Sequence, residues 1–507
     1  MQTRTFSLMG IPVEYLNSAE VVERVLALID TYRNEQRDVG ATRNIPSNYI
    51  STMNVDFLAN IHGWRWLGIR HPELLNILRR STIVTPDGMP IVWLSKWLGN
   101  SLKERVTGAD LVPLLTEMLG EKEKSIFLLG GEEKNARLAA EHLKKVDPGL
   151  KIAGISCPTV YVEGERLVEA QQRDALLIEE INEAAPDVLF VGLGHPKQEI
   201  WFERVRGKLQ VPVAIGIGGT LNFITGTIKR APRWMQSMGF EWLYRLYQEP
   251  KRLIFRYLFD MFDFLYLSIP LVVVHRLNQF ITKLFKGKNA YTVQSSLLFL
   301  SQHKSIAVVR IPEILCSENA QTVNQHIDEA FAQDLVVLDL RNTLHIDLEG
   351  LGLLVNTWRR AQRENQEVLG LDVKWNLRLL LRMHKVWNLL RYDICSSPLQ
   401  ILSSKHPGVY EAITQKDDTL TLRFFGKIDR TQNFEIYLEK IVQMLHQKDC
   451  VLDFTYCTFI DNAGFTLLLQ LKEFVESNGK MLKVRGLTRA VASQFRLAGI
   501  YNSFTRV

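Results

Sequence analysis

The chain has 507 residues, 46% apolar and 23% charged, which excludes a largely disordered protein and exceeds one ordinary hydrophobic core; about three or four domains are expected. The net charge of +6 is local: residues 225–288 carry eleven Lys and Arg against four acids, so the remainder is close to neutral. The five cysteines, Cys157, Cys316, Cys395, Cys450 and Cys457, form no CxxC pair, and the N-terminus lacks the layout of a signal peptide; both features point to a reducing cytosol and away from a zinc site.

From residue 1 to about 245, short apolar runs ending in Gly, Asn or Asp alternate with amphipathic stretches. "SNYISTMNV", "STIVTPDG", "KSIFLLGG", "DVLFVGLG" and "VPVAIGIGG" read as strands; "ADLVPLLTEMLGEKE" and "ERLVEAQQRDALLIEEINEAAP" read as helices. That βαβ rhythm predicts a Rossmann-like, mostly parallel sheet covered on both faces, with ligands beyond the carboxyl ends of its strands.

Residues 246–290 form a basic, apolar appendage. Its uncharged core "FLYLSIPLVVV", 264–274, is shorter than the roughly 20 residues that span a bilayer as a helix. It reads as lying on an anionic membrane surface, as a buried docking helix, or as a subunit contact. Beyond it, "VVLDLRNTLHIDLEGLGLLV" at 336 and "CVLDFTYCTFIDNAGFTLLL" at 450 align without a gap, placing Asp339 on Asp453, Asp347 on Asp461 and Gly350 on Gly464. Two copies of one small α/β domain follow, at 295–403 and 408–507.

Candidate chemistry gathers at the strand ends. Glycine clusters at 130–131, 192–194 and 216–219 let backbone approach an oxyanion. Neither of the last two completes GxGxxG, since Lys197 and Leu221 stand at the sixth positions, and no P-loop motif occurs. Lys197, Gln198 and Glu199 follow the glycines in "VGLGHPKQEIW" and suit a phosphate and a sugar hydroxyl, or else a plain solvated turn. Thr52 and Asn54 share one strand face. Asp87 in "TPDGMP" is either a turn former or a general base for a hydroxyl, and Arg105 and Asp110 in "ERVTGADL" could pin a sugar or phosphate.

The motifs "TMNVDFL", "TPDGMPIVW", "RVTGADL", "VGLGHPKQEIW" and "GIGGTLNFITGTIKRAPRWMQSMGFEWLYRLYQEPKRLIFRYL", in this order over about residues 8–260, resemble the bacterial TagA/WecG/CpsF glycosyltransferases. The resemblance implies transfer of an N-acetylhexosamine or related sugar from a UDP-sugar to a polyprenyl-diphosphate-linked sugar, in cell-surface polysaccharide synthesis at the inner face of the cytoplasmic membrane. It implies Asp87 as the base of an inverting displacement and Thr52, Asn54, Arg105 and Gln198 as pocket residues. Gly218, Gly219, Thr220 and Asn222 would lie against the nucleotide-sugar. Without an Asp-x-Asp pair in residues 1–260, no metal or other cofactor is expected. Arg245, Arg252 and Arg256 of the appendage would supply positive charge from one helix face, if Pro250 does not interrupt that helix.

The repeats resemble STAS domains, a fold that serves protein docking or dimerisation. Regulated STAS domains carry a phosphorylatable serine after the second aspartate, where this chain has Leu348 and Asn462; a phosphoswitch is not expected, and a protein partner or a second copy of the chain is. Two other readings stay open: a nucleotide-sugar oxidoreductase or epimerase, and a non-catalytic STAS scaffold. No nucleic-acid partner is expected.

Overall fold

The computed structural model describes residues 4–39, 45–63, 69–162, 164, 167–285, 290–291, 293–299, 305–333, 335–371, 373–393, 410–414, 419–428 and 449–506. A hairpin opens the chain, β1 (Thr5–Leu8) and β2 (Ile11–Glu14), turned by Met9 and Gly10 with φ of 50° and 81°. Positive φ at both turn positions matches the twist of antiparallel strands.

The central sheet contains β3 (Asn48–Met53), β4 (Ile83–Pro86), β5 (Ser125–Gly130), β6 (Lys151–Ser156), β7 (Val188–Gly192) and β8 (Val213–Gly216). They pair in the order β4-β3-β8-β7-β5-β6, every pair parallel. All five strands read from sequence are present; β6 and the β1-β2 hairpin were not foreseen. The strands are apolar on both faces because helices cover both. One layer packs helices Ser18–Val39, Gly108–Glu121 and Glu133–Val146 over Ile50, Leu128, Phe190 and Ile215. The other sets Trp201 and Phe202 of helix Lys197–Val205 against Tyr49, Leu129, Val191 and Ala214. Each fully buried Val, Leu, Ile or Phe side chain contributes about 1.5–3 kcal/mol.

The appendage differs from expectation in two ways. The helix Glu241–Gln248 stops at Glu249, and a second, Pro250–Phe285, runs 36 residues. Proline fits the first helical position, where its missing N–H costs nothing, so Pro250 starts a helix instead of bending one. Arg245 therefore does not share a continuous helix with Arg252 and Arg256. The uncharged run 264–274 is the middle of a much longer element, and Leu253–Leu284 is by length and composition sufficient to cross a membrane.

Two further five-stranded sheets follow. The first contains β9 (Gln294–Phe299), β10 (Ser305–Arg310), β12 (Leu335–Asp339), β14 (Glu367–Leu371) and β15 (Arg391–Asp393), beside a short pair, β11 (Ile314–Leu315) and β13 (His345–Ile346). The second contains β16 (Tyr410–Thr414), β17 (Thr419–Ile428), β18 (Asp449–Ile460), β19 (Leu482–Arg485) and β20 (Thr505–Arg506). In both, only the first strand is antiparallel. The internal repeat is visible at atomic level: Asp347 and Asp461 cap the helices Leu348–Glu364 and Asn462–Ser477, each accepting from a glycine N–H, Gly350 or Gly464, at 2.9 Å.

Both small domains dock onto the first half through the face that begins at this cap. Leu348 is buried in a core shared by the β1-β2 hairpin, the long helix and the first small domain. Glu349 pairs with Arg4 at 2.6 Å, and Asn100 donates to Asp347 at 3.3 Å. In the second copy, the Asn462 backbone N–H donates to Glu73 at 3.1 Å and its amide to the Val162 carbonyl at 3.3 Å.

Candidate active site

The ends of β4, β3, β8 and β7 lie side by side in the sheet. Asp87 follows β4, its backbone N–H held by the Met53 carbonyl at 2.7 Å. The side chain is half-buried, and burial is the main cause that lifts its carboxyl to about 7; Arg105 and Arg245 oppose the rise, Glu241 and Asp110 add to it. A carboxylate poised at neutral pH is suited to general base catalysis.

Around Asp87 the charges close into a ring. Arg105 contacts Glu241 at 2.6 Å and Asp110 at 3.6 Å; Arg230 contacts Asp110 at 2.9 Å and Glu241 at 3.0 Å. Each acid thus bridges both arginines, and the ring ties the loop before helix Gly108–Glu121 to helix Glu241–Gln248, which leads into the appendage. Arg245, one turn along that helix, lies over Phe223 with 4.8 Å between its guanidinium carbon and the ring centre.

A second network supports the glycine loop after β8. Gln198 is 2% exposed and spends both ends of its amide internally, accepting from Gly218 N–H at 3.1 Å and donating to Glu199 at 2.7 Å. Glu199, fully buried, also faces the Tyr49 hydroxyl at 3.2 Å and His195 Nδ1 at 3.2 Å. Burial pushes the Tyr49 phenol well above its ordinary range, with the Glu199 charge adding to it. Thr52 donates to the Gly216 carbonyl at 3.2 Å. Gly216 has no room for a side chain, since a Cβ would stand 2.5 Å from the Tyr49 hydroxyl oxygen.

Residues 6–279 match the model of the glycosyl transferase WecG/TagA/CpsF family. The chain belongs to this family. Further matches are to the STAS domain at 300–394 and to the "Mlab, STAS domain" model at 411–504. Among WecG/TagA/CpsF relatives, the N-acetylglucosaminyldiphosphoundecaprenol N-acetyl-beta-D-mannosaminyltransferase of Bacillus subtilis (strain 168) is 32% identical over 203 residues, 40% of this chain and 72% of that one. The enzyme of the same name from Bacillus spizizenii is 32% identical over 184 residues, 36% of this chain and 67% of that one. Its counterpart in Staphylococcus aureus (strain MW2) is 27% identical over 183 residues, 36% and 68%. A solved chain, the anti-sigma factor antagonist SpoIIAA in its unphosphorylated form, covers 19% of this chain and 87% of its own length at 19% identity and a TM-score of 0.18, too low to bear on the fold.

As a WecG/TagA/CpsF glycosyltransferase, the chain uses its motif residues in two ways. Asp87, Arg105, Asp110 and Arg245 lie near one another beyond the strand ends. Thr52 and Gln198 hydrogen-bond to the end of β8 and to the glycine loop after it. Asn54 caps helix Val55–His62 through Phe57 N–H at 3.4 Å, and Asn222 accepts from Asn135 at 3.1 Å. Gly218 has φ of 51°, and Gly218 and Gly219 border open space; Thr220 is buried against the Ile217 carbonyl, and Lys197 is exposed. Arg256 is engaged by Asp56 and, at 3.8 Å, by Asp260; the side chain of Arg252 lies outside the described residues. Sequence reasoning passed over Arg230, Glu241 and Phe223, whose signal was an acid and a ring among the cations of "FITGTIKRAP" and "GFEWLYR". Among the described residues, no group of three or more His, Cys, Asp and Glu is arranged to hold a metal ion.

Proposed function

We propose that the protein transfers an N-acetylhexosamine or related sugar from a UDP-sugar to a polyprenyl-diphosphate-linked sugar, with inversion at the anomeric carbon. The observation that carries this reading is Asp87, a carboxyl held at about 7 beyond the end of β4, with Arg105 and Arg245 as the charges that oppose the rise. Asp87 would take the proton of the acceptor hydroxyl as that oxygen attacks, and the arginines would stabilise the charge growing on the departing diphosphate. The names of the three relatives support the lipid-linked acceptor and suggest N-acetylmannosamine as the sugar moved.

The long helix would bring the enzyme to its lipid substrate at the inner membrane face. Phe264, Leu267, Ser268 and Leu271 are buried against the protein, whereas Phe255, Leu258, Phe259, Phe262, Ile269 and Val273 are 51–69% exposed. A helix with one face committed to protein and the other apolar and bare suits the plane of an interface better than a crossing. The STAS domains would serve protein contacts, with the cap faces already occupied within the chain and Trp375, 77% exposed, on the remaining surface.

The test is UDP release by purified protein with a panel of UDP-sugars and a short-chain polyprenyl-diphosphate-GlcNAc, with and without anionic liposomes. Acceptor-dependent release from one donor is expected, stimulated by liposomes. Folded protein that releases UDP from no donor with any such acceptor would overturn the reading and favour the scaffold.

A further inference from the structure

The ring of charges beside Asp87 raises a question of economy. Two arginines, Arg105 and Arg230, stand near Asp87, and two carboxylates from the same chain neutralise them there. Arg230 is 23% exposed at its side chain and sits within the field of Asp87. Burial disfavours its charge, but Asp110, Glu241 and Asp87 outweigh burial and hold its pKa above the ordinary value. Its bonding is incomplete: Nη1 meets Asp110 at 2.9 Å and Nη2 donates to Gln236 at 2.9 Å, while the buried Nε, though 3.0 Å from Glu241 Oε1, has no hydrogen-bond partner among the described residues. A guanidinium has five donors in a planar fork, and its best-matched acceptors are the oxygens of phosphate and carboxylate.

We infer that Arg230 is a further substrate-binding residue: with Arg105 it receives the diphosphate of the nucleotide-sugar, and the Asp110 and Glu241 carboxylates occupy that place until substrate arrives. The inference rests on the UDP-sugar reading of the site and names the group that meets the leaving diphosphate. Carboxylates are natural stand-ins, having the charge and paired oxygens that phosphate presents. Exchange of one anion for another keeps both arginines neutralised throughout, while the displaced Asp110 and Glu241 carboxylates must turn toward solvent.

The test is calorimetric titration of the full chain with UDP, UMP and uridine. Wild-type protein binds UDP more tightly than UMP. Arg230→Gln is expected to lower UDP affinity about ten- to hundredfold, the cost of losing a hydrogen bond to a charged group, and to leave uridine binding unchanged. Arg230→Lys, which keeps the charge without the fork, recovers part of the loss. UDP affinity unchanged in Arg230→Gln overturns the inference and leaves the donor assignment standing. Equal loss for UDP and uridine, with a lowered melting temperature, also overturns it and makes the ring a structural clasp. Wild-type protein that binds no uridine compound overturns the donor assignment, and this inference with it.

Discussion

Arg245 rests on the face of Phe223, 4.8 Å from guanidinium carbon to ring centre, on a helix whose first residue, Glu241, is paired with Arg105 at 2.6 Å. Ring and ion pair together fix where this cation stands, and its charge favours the ionised form of Asp87. Arg245→Gln removes that help, so the Asp87 carboxyl should titrate above its present value of about 7. The acidic limb of the kcat/KM profile is expected to move to higher pH by roughly half a unit to one unit, the scale of a single neighbouring charge. A pH profile of UDP release from both proteins checks this, and an unmoved limb would dissociate Arg245 from Asp87.

Asp87→Asn should abolish base catalysis while retaining donor binding, with kcat lower by about 10²–10⁴-fold. Its effect on stability has the opposite sign to that of most buried substitutions. A carboxyl whose pKa is raised by folding binds its proton more tightly in the native state, so stability falls as pH rises from its unfolded value through about 7. The neutral amide escapes that loss. At pH 8 the variant is expected to melt at or above the wild-type temperature, and at pH 5 the advantage should vanish; thermal melts at the two values test it.

Gly352 faces the first hairpin so closely that a Cβ there would stand 1.9 Å from the Thr5 carbonyl oxygen. Gly352→Ala must push helix Leu348–Glu364 off β1, and the contacts around it include Arg359 to the Ser81 carbonyl at 2.7 Å and to Glu14 at 3.3 Å. Overpacking of this kind costs about 1–3 kcal/mol. Urea denaturation should show the loss, and limited proteolysis should show the first STAS domain separating from the transferase. An unchanged urea midpoint would mean the hairpin and helix can part without penalty.

How much of this was legible beforehand depends on the range of each interaction. The parallel sheet could be read because strand patterning is local, and the STAS repeat because Asp347 and Asp461 keep the same relation to their glycines. Asp87 within its own turn reads equally as a turn former, and only the resemblance singled it out as a base. The charge ring was not legible: Arg105 and Glu241 are 136 positions apart, and the meaning of each comes from the other. Likewise Gln198, a polar residue after two glycines, invites a ligand role from spacing alone. Only the position of Gly218 N–H shows that its carbonyl is already engaged. The long helix was underestimated because its charges at Arg256, Asp260 and Asp263 break the apolar run in sequence without breaking the helix.

The exposed aromatic face of that helix gives a direct measure of membrane binding. Phe255, Phe259 and Phe262 are 69%, 62% and 51% exposed, so replacing them by serine should leave the fold intact. Each Phe buried in a bilayer interface contributes on the order of 1–3 kcal/mol. The triple variant is expected to lose at least about tenfold in partitioning to anionic vesicles, read by co-sedimentation. Retained partitioning would assign this face to another occupant.

The joint between the long helix and the first STAS domain contains three neighbouring histidines and should be sensitive to acid. His275 Nδ1 lies 3.0 Å from His384 Nε2, and the His345 ring centre is 5.2 Å from that of His275. Burial is the first cause that lowers all three: His275 to about 4, His345 to about 3 and His384 well below its ordinary value. Each is therefore neutral in the native joint and takes up a proton more readily once unfolded. Stability is complete above the unfolded value of about 6.5 and declines as pH falls from there toward 4 and 3. The urea midpoint should drop between pH 7 and pH 5, and His384→Phe, which removes one of the three together with an Nδ1 that has no hydrogen-bond partner among the described residues, should make that drop shallower. A midpoint equally pH-dependent in variant and wild type would place the acid sensitivity elsewhere.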